Sequence, residues 1–199
     1  MTSSPPYTTL RRFLPNKRVE CCELCGHGLP PAHTHLLEIP TRRMVCACEA
    51  CGILFFHRDQ NFRRIGRDVR YLADFQMTDA QWDSLRIPIG MAFFVHISEA
   101  SRVHAFYPGP AGSTESLLPL DSWNSIAACN SALENMEPDV EALLVNRVGP
   151  ARLHFLVPID RCYELVGLIR IHWRGLSGGD GVWREIDRFF AQLTEAGRA

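Results

Sequence analysis

The chain has 199 residues, of which 46% are hydrophobic and 22% charged, a balance that suits one main globular domain with a small appendage. Its formal net charge of -1 excludes a strong whole-chain attraction to nucleic acid or to anionic lipid. Residues 1–75 hold 11 Lys and Arg against 7 Asp and Glu, an excess too small and too dispersed to predict a nucleic-acid site.

Residues 1–20 are predicted to form an extended arm, because Pro5, Pro6 and Pro15 oppose helix formation there. The arm lacks the apolar segment of a signal peptide. Nowhere does the sequence contain the run of about 18 apolar residues that a membrane-spanning helix needs. We therefore expect a cytoplasmic protein without a membrane span, and in a reducing compartment clustered cysteines favour metal binding over disulfides.

Residues 21–57 form a cysteine-rich unit built on two CxxCG sequences, at 22–26 and 48–52. Two residues between the cysteines let both sulfurs reach one ion at about 2.3 Å, and the glycine that follows permits a tight turn. We therefore predict one tetrahedral metal site whose ligands are Cys22, Cys25, Cys48 and Cys51. Four protein ligands close the coordination sphere, so the predicted role is structural.

Zinc in a zinc-ribbon or paired-knuckle unit is the expected occupant, and iron in a rubredoxin-like centre is the alternative, because both ions accept tetrahedral sulfur. Cys46 either replaces one ligand, contributes to a second site or is a buried small side chain. His33 and His35 would lie on one face of a strand. They would either complete a second metal site or support the first through hydrogen bonds.

Residues 58–199 are predicted to form an α+β domain with an antiparallel or mixed sheet and flanking helices. Turn residues and hydrophobic patterns predict strands at 87–97, 102–107, 142–147, 152–157 and 165–173. Helical spacing predicts helices at 78–85, 121–136 and 182–196, the first with Thr78 or Asp79 as its N-cap. The arginines between residues 58 and 70 are expected to form a solvated or partner-facing edge.

This domain carries no motif of a known enzyme class, so we predict no catalytic residue and no organic cofactor site. The loop at 106–116 lacks the lysine of a phosphate-binding loop. Cys129 and Cys162 are expected to be core thiols, because no base lies near them in the sequence. Four further histidines fall singly on predicted strands, where a structural role is the expectation: His96, His104, His154 and His172.

The sequence resembles an uncharacterised bacterial family whose members are encoded beside NiFe hydrogenase genes. The resemblance spans nearly the whole chain and is carried by residues 22–26, 33–37, 46–48 with Cys51, 54–55, 106–116, 139–145, 157–170 and 173–190. It implies an accessory protein that supports the assembly, maturation or function of a hydrogenase, with hydrogenase subunits or maturation factors as partners. An iron-containing electron carrier for the same system is the alternative function.

Overall fold

The computed structural model describes residues 20–58, 61–117, 123–175 and 177–198. The predicted arm, residues 1–20, therefore lies outside the described residues apart from Glu20. The described strands are β1 (Thr34–Glu38), β2 (Arg43–Ala47), β3 (Phe62–Arg64), β4 (Arg70–Tyr71), β5 (Met91–Ile97), β6 (Arg102–Gly109), β7 (Gly112–Glu115), β8 (Glu141–Asn146) and β9 (Leu153–Pro158). The described helices are α1 (Glu49–Arg58), α2 (Asp79–Ser84), α3 (Trp123–Ala128), α4 (Ile159–His172) and α5 (Gly179–Ala196).

The described strands form two sheets. The larger has the order β4-β9-β8-β5-β6-β7, and every neighbouring pair in it is antiparallel. Successive side chains of its central strands point to opposite faces. Phe93 therefore packs in one apolar cluster with Ile186 and other residues of α4 and α5. Phe94 packs in a second cluster with Trp82 and Ile126 of α2 and α3. The sheet is thus covered by helices on both faces, which explains why its central strands are almost continuously apolar.

The smaller sheet has the antiparallel order β2-β1-β3, and α1 packs on one of its faces. Leu36 and Val45 face this helix and share a small apolar cluster with Cys51. Leu37, from the opposite face of β1, belongs instead to the large cluster that contains α4 and α5. The small sheet therefore lies between α1 and the larger domain, so the cysteine-rich unit is positioned against the start of α4.

The prediction of an α+β fold with antiparallel sheets is confirmed. The hairpins β5–β6 and β8–β9 match the predicted strand pairs, and α5 matches the predicted final helix. Thr78 is the N-cap of α2 and forms a reciprocal capping box with Gln81. Between 121 and 136 the described residues form only α3 and a single 3-10 turn at Ser131–Leu133.

The predicted strand at 165–173 is wrong, because residues 165–172 belong to helix α4 and Trp173 is its C-cap. Its buried side chains include Ile159, Cys162, Val166 and Ile169, which recur at three and four residues as on one helix face. Short apolar runs fit a strand or a buried helix equally well, and the helical periodicity becomes visible only when residues 159–163 are included.

Among the described residues, no helix combines the length and apolar character needed to cross a membrane.

Candidate metal centre

The structure brings together the four cysteines predicted as metal ligands. The sulfur atoms of Cys22, Cys25, Cys48 and Cys51 all lie within 4.8 Å of one another, and those of Cys25 and Cys48 are 3.7 Å apart. Two thiolates bound tetrahedrally to one ion at about 2.3 Å are about 3.8 Å apart, whereas a disulfide needs about 2.05 Å. All four cysteines are free thiols. The four sulfurs are therefore close enough together to hold one shared ion.

The first pair of cysteines lies in a tight turn. The backbone N–H of Gly26 donates to the Cys22 carbonyl, and the N–H of Cys22 donates to the His27 carbonyl, both at 2.7 Å. Gly26 has a φ of 77°, a left-handed conformation that favours glycine. Cys22 is buried, whereas Cys25 is exposed. This turn is the one that the CxxCG sequence predicts, and it directs both sulfurs to the same side.

The second pair lies at the start of α1 rather than in a second turn of this kind. Cys48 directly precedes the helix and Cys51 is in its first turn, where the Cys51 N–H points at the Cys48 sulfur from 3.5 Å. The free N–H groups and the positive end of a helix dipole both favour thiolates at this position. The metal unit therefore consists of a turn, the hairpin β1–β2 and the start of a helix. The sequence alone did not predict this helix, α1.

Gly52 has a different role from Gly26, although both follow the second cysteine of their motif. A Cβ atom at Gly52 would lie 2.9 Å from the Cγ2 atom of Thr34 on β1. Beside it, the Thr34 hydroxyl donates to the Glu49 carboxylate at 2.7 Å. Glycine at 52 therefore lets the first turn of α1 approach β1 closely, which places Cys48 and Cys51 at the site.

Glu23 ties the first turn to strand β2, which leads directly to Cys48. Its backbone N–H donates to the Cys46 carbonyl at 2.9 Å, and its carboxylate accepts from the Cys46 N–H at 2.8 Å. The same carboxylate accepts from Arg43 at 2.6 Å. The bond from the Cys46 N–H, followed by the interaction with Arg43, lowers the pKa of Glu23. Glu23 therefore fixes the position of the first cysteine pair relative to the second, and it does so as a negatively charged hydrogen-bond acceptor.

The sulfurs are electrostatically unequal before any ion binds. Burial raises the pKa of Cys22, but backbone N–H donors from Cys48, Leu24 and Cys25 outweigh it and bring that pKa down to about 6. Burial and the neighbouring sulfurs raise the pKa of Cys51 to about 12. A negative charge on one sulfur therefore opposes ionisation of the neighbouring thiols, because like charges this close repel each other. Four thiolates at this spacing need a cation among them.

His33, His35 and Cys46 form a separate group beside this cluster, with one donor atom of each within 4.8 Å of the others. The histidines hydrogen-bond to each other, to Pro30 and to Asp160. The partner Asp160 could not be found from sequence, because it lies 125 residues from His35. Of the two cysteines predicted as core thiols, Cys162 is fully buried, and burial raises its pKa, which agrees with an unreactive thiol. The prediction is wrong for Cys129, because α3 ends at Ala128 and leaves the next residue exposed.

Comparison with known proteins places the chain in one family. A model described as "Family of unknown function (DUF5947)" matches residues 21–197. The chain belongs to this family. No curated protein and no solved structure matched the chain. The family match begins at the cysteine-rich unit and continues to the end of α5, so it covers both the four-cysteine cluster and the larger sheet.

Proposed function

We propose that the protein is a metal-binding accessory protein whose four-cysteine zinc site shapes a surface for a protein partner. The partner suggested by the sequence resemblance is a NiFe hydrogenase subunit or maturation factor, so that the protein would support assembly, maturation or function of that enzyme. The observation that carries the metal part of this proposal is the convergence of four cysteine sulfurs within 4.8 Å.

A structural role for the ion follows from how little else holds this unit together. Its own apolar cluster contains six buried residues, two of which are the ligands Cys22 and Cys51. A structural zinc ion contributes about 10–16 kcal/mol to the folding of small units of this kind. With all four positions taken by thiolates, the ion has no position left for a substrate, which favours zinc as a structural element over zinc as a catalyst.

A partner-facing surface is available on α1, the helix that begins at the metal site. Ile53, Leu54 and Phe56 on this helix are 49%, 43% and 46% exposed. Large apolar side chains grouped on one exposed surface are typical of protein–protein contacts. Because α1 starts at Cys48 and Cys51, the ion would determine the position of this apolar surface. The metal site and the partner surface are therefore coupled through one helix.

Metal analysis with a visible spectrum tests the identity of the ion. We expect the purified protein to be colourless and to contain zinc, and a Cys25→Ser/Cys48→Ser variant to lose the zinc that resists chelators. Cys129→Ser is the matched control, since Cys129 is an exposed thiol outside the cluster. A red protein that bleaches on reduction would instead support the iron electron carrier. The exposure of Cys25 favours this alternative, because it places the site near the surface, within reach of an electron-transfer partner.

Co-purification tests the partner. A tagged protein expressed in cells that make a NiFe hydrogenase should retain a hydrogenase subunit or maturation factor. Ile53→Asp/Leu54→Asp should reduce that recovery by about tenfold or more, as expected for apolar contact residues, without changing the zinc content. Ile171→Asp is the matched control, because Ile171 is 66% exposed on α4. Failure of the unmodified protein to retain any such partner would contradict the hydrogenase part of the proposal.

A further inference from the structure

The register of β1 and β2 places three metal-binding side chains on one face of the small sheet. His35 is the direct cross-strand partner of Cys46. His33 precedes His35 by two residues, and side chains two apart in an extended chain lie on the same face. This face is turned toward α4, because Leu37, two residues further along, packs in the large apolar cluster. Two imidazoles and one thiol therefore converge on one face of the small sheet.

The hydrogen bonds of the two histidines determine which ring nitrogens carry protons. The Pro30 carbonyl can only accept, so His33 donates from Nδ1 at 2.9 Å. The Asp160 carboxylate accepts from Nδ1 of His35 at 2.8 Å. In each neutral ring the lone pair is then on Nε2, and the two Nε2 atoms are 3.2 Å apart. Two lone pairs facing each other at this distance repel unless a cation lies between them.

We propose that His33 Nε2, His35 Nε2 and Cys46 Sγ bind a second metal ion, distinct from the ion of the four-cysteine site. Two imidazole nitrogens bound tetrahedrally at about 2.0–2.1 Å lie about 3.3–3.4 Å apart, close to the observed 3.2 Å. A proton shared between the two nitrogens would relieve their repulsion without any further ligand. The sulfur of Cys46 lies within 4.8 Å of one ring nitrogen of each histidine, and it supplies a third donor that a shared proton would not need.

The surroundings have the features that support metal-ligating histidines. A carboxylate or carbonyl that accepts from the second ring nitrogen orients the ring and makes it a stronger ligand. His35 has Asp160 in this position, and His33 has the Pro30 carbonyl. The other carboxylate oxygen of Asp160, Oδ1, is buried without a hydrogen-bond partner among the described residues. Asp160 is therefore a positioning residue for the site.

A cavity of about 790 Å³ adjoins the two histidines. It is also lined by Asp160 and by three arginines, Arg64, Arg67 and Arg161. Three protein ligands leave one tetrahedral position for water or a small anion, which is the pattern of exchangeable and catalytic zinc sites. Two nitrogens and one sulfur suit an ion of intermediate softness such as Zn²⁺. The second ion should therefore be held less tightly than the ion of the four-cysteine site.

Zinc release from the full-length, zinc-saturated protein tests this site. A chromogenic chelator should remove one zinc ion per chain, and a second should leave only after a thiol-reactive mercurial is added. In His33→Ala/His35→Ala the chelator-accessible ion should be missing, while the mercurial-dependent ion remains and reports a folded four-cysteine site. His27→Ala is the matched control, because His27 lies in the same unit but outside the three-ligand group, and it should keep both ions.

Asp160→Asn provides a second variant that leaves all three proposed ligands in place. Loss of a supporting carboxylate typically weakens metal binding by about 10–100-fold. We expect that loss for the chelator-accessible ion, measured in zinc-buffered solution, and no change for the mercurial-dependent ion. Absence of any chelator-accessible zinc in the unmodified protein would overturn the proposal, as would its persistence in the double histidine variant. Failure of the four-cysteine site would be seen separately, as loss of the mercurial-dependent ion.

Discussion

At the scale of single residues, the two glycines of the CxxCG motifs are required for different physical reasons. Gly52→Ala should lower the free energy of unfolding by about 1–3 kcal/mol, the usual cost of overpacking, because its Cβ would meet Thr34 Cγ2 at 2.9 Å. Thr34→Ser removes that methyl group but keeps the hydroxyl that binds Glu49, so the double variant should recover much of the loss. Urea unfolding at fixed free zinc measures both effects.

Gly26→Ala is the comparison for this prediction. No atom lies within 4 Å of a Cβ placed at Gly26, but its φ of 77° makes an L-residue strained by about 1–2 kcal/mol. Thr34→Ser should therefore leave the Gly26→Ala variant as unstable as before. Equal rescue of both glycine variants would show that Thr34 acts through something other than contact with Gly52.

His154 should make stability depend on pH. It is buried on β9 and stacks on Phe75 with ring centroids 4.6 Å apart. Burial, with repulsion from Arg147 and Arg152, lowers its pKa to about 4, whereas an unfolded histidine titrates near about 6.5. Between these values the unfolded chain binds the proton and the native state does not, so stability falls as pH drops from about 6.5 to about 4.

The difference between a pKa of about 6.5 in the unfolded chain and about 4 in the native state sets an upper limit of about 3 kcal/mol on this effect. His154→Gln removes the titrating ring. As pH falls, the unmodified protein should therefore lose more unfolding free energy than the variant does. Chemical denaturation at several pH values measures that difference, and the titration of the cysteines common to both proteins cancels in it. Parallel stability curves would mean that His154 is not responsible.

At the scale of elements, sequence patterns predicted what is local and missed what depends on distant partners. The hairpins β5–β6 and β8–β9 join neighbouring segments, and their turns are marked by glycine and proline, so both were predicted. The pairing of β5 with β8 is absent from the prediction, because no local pattern specifies which distant strands are neighbours. Helix α4 was misassigned for a related reason, since both its faces and its packing partners are needed to distinguish a buried helix from a strand.

The candidate site shows the same division. The spacing of Cys22, Cys25, Cys48 and Cys51 was sufficient to predict that they converge, because each pair is a local motif with one strong chemical use. The sequence raised a second site for His33, His35 and Cys46 only as an alternative. The structure singles out this second site, because the β1–β2 register pairs His35 with Cys46 and the fold brings Asp160 beside His35.

At the scale of the whole molecule, the two sheets differ in how they are stabilised. The larger sheet is held by two extensive apolar clusters, one on each face. The unit that contains the smaller sheet has an apolar cluster of only six buried residues, and its Leu37 and Ile65 belong to the large cluster. An ion pair between Arg63 and buried Asp139, at 3.2 Å, also joins them. The larger domain should therefore keep its fold when the metal unit unfolds.

Removal of the metal tests this hierarchy. A structural zinc ion contributes about 10–16 kcal/mol, as much as the total stability of a typical domain, about 5–15 kcal/mol. Its loss should therefore unfold β1, β2 and the start of α1 locally. Hydrogen exchange should show lost amide protection in these elements of the Cys25→Ser/Cys48→Ser variant, while β5, β8 and β9 stay protected. The first turn of α4 should exchange moderately faster, because Asp160 loses its bond to His35. Protection lost throughout both sheets would show that the larger domain depends on the ion, and protection kept in β1 and β2 would show that the ion is not structural.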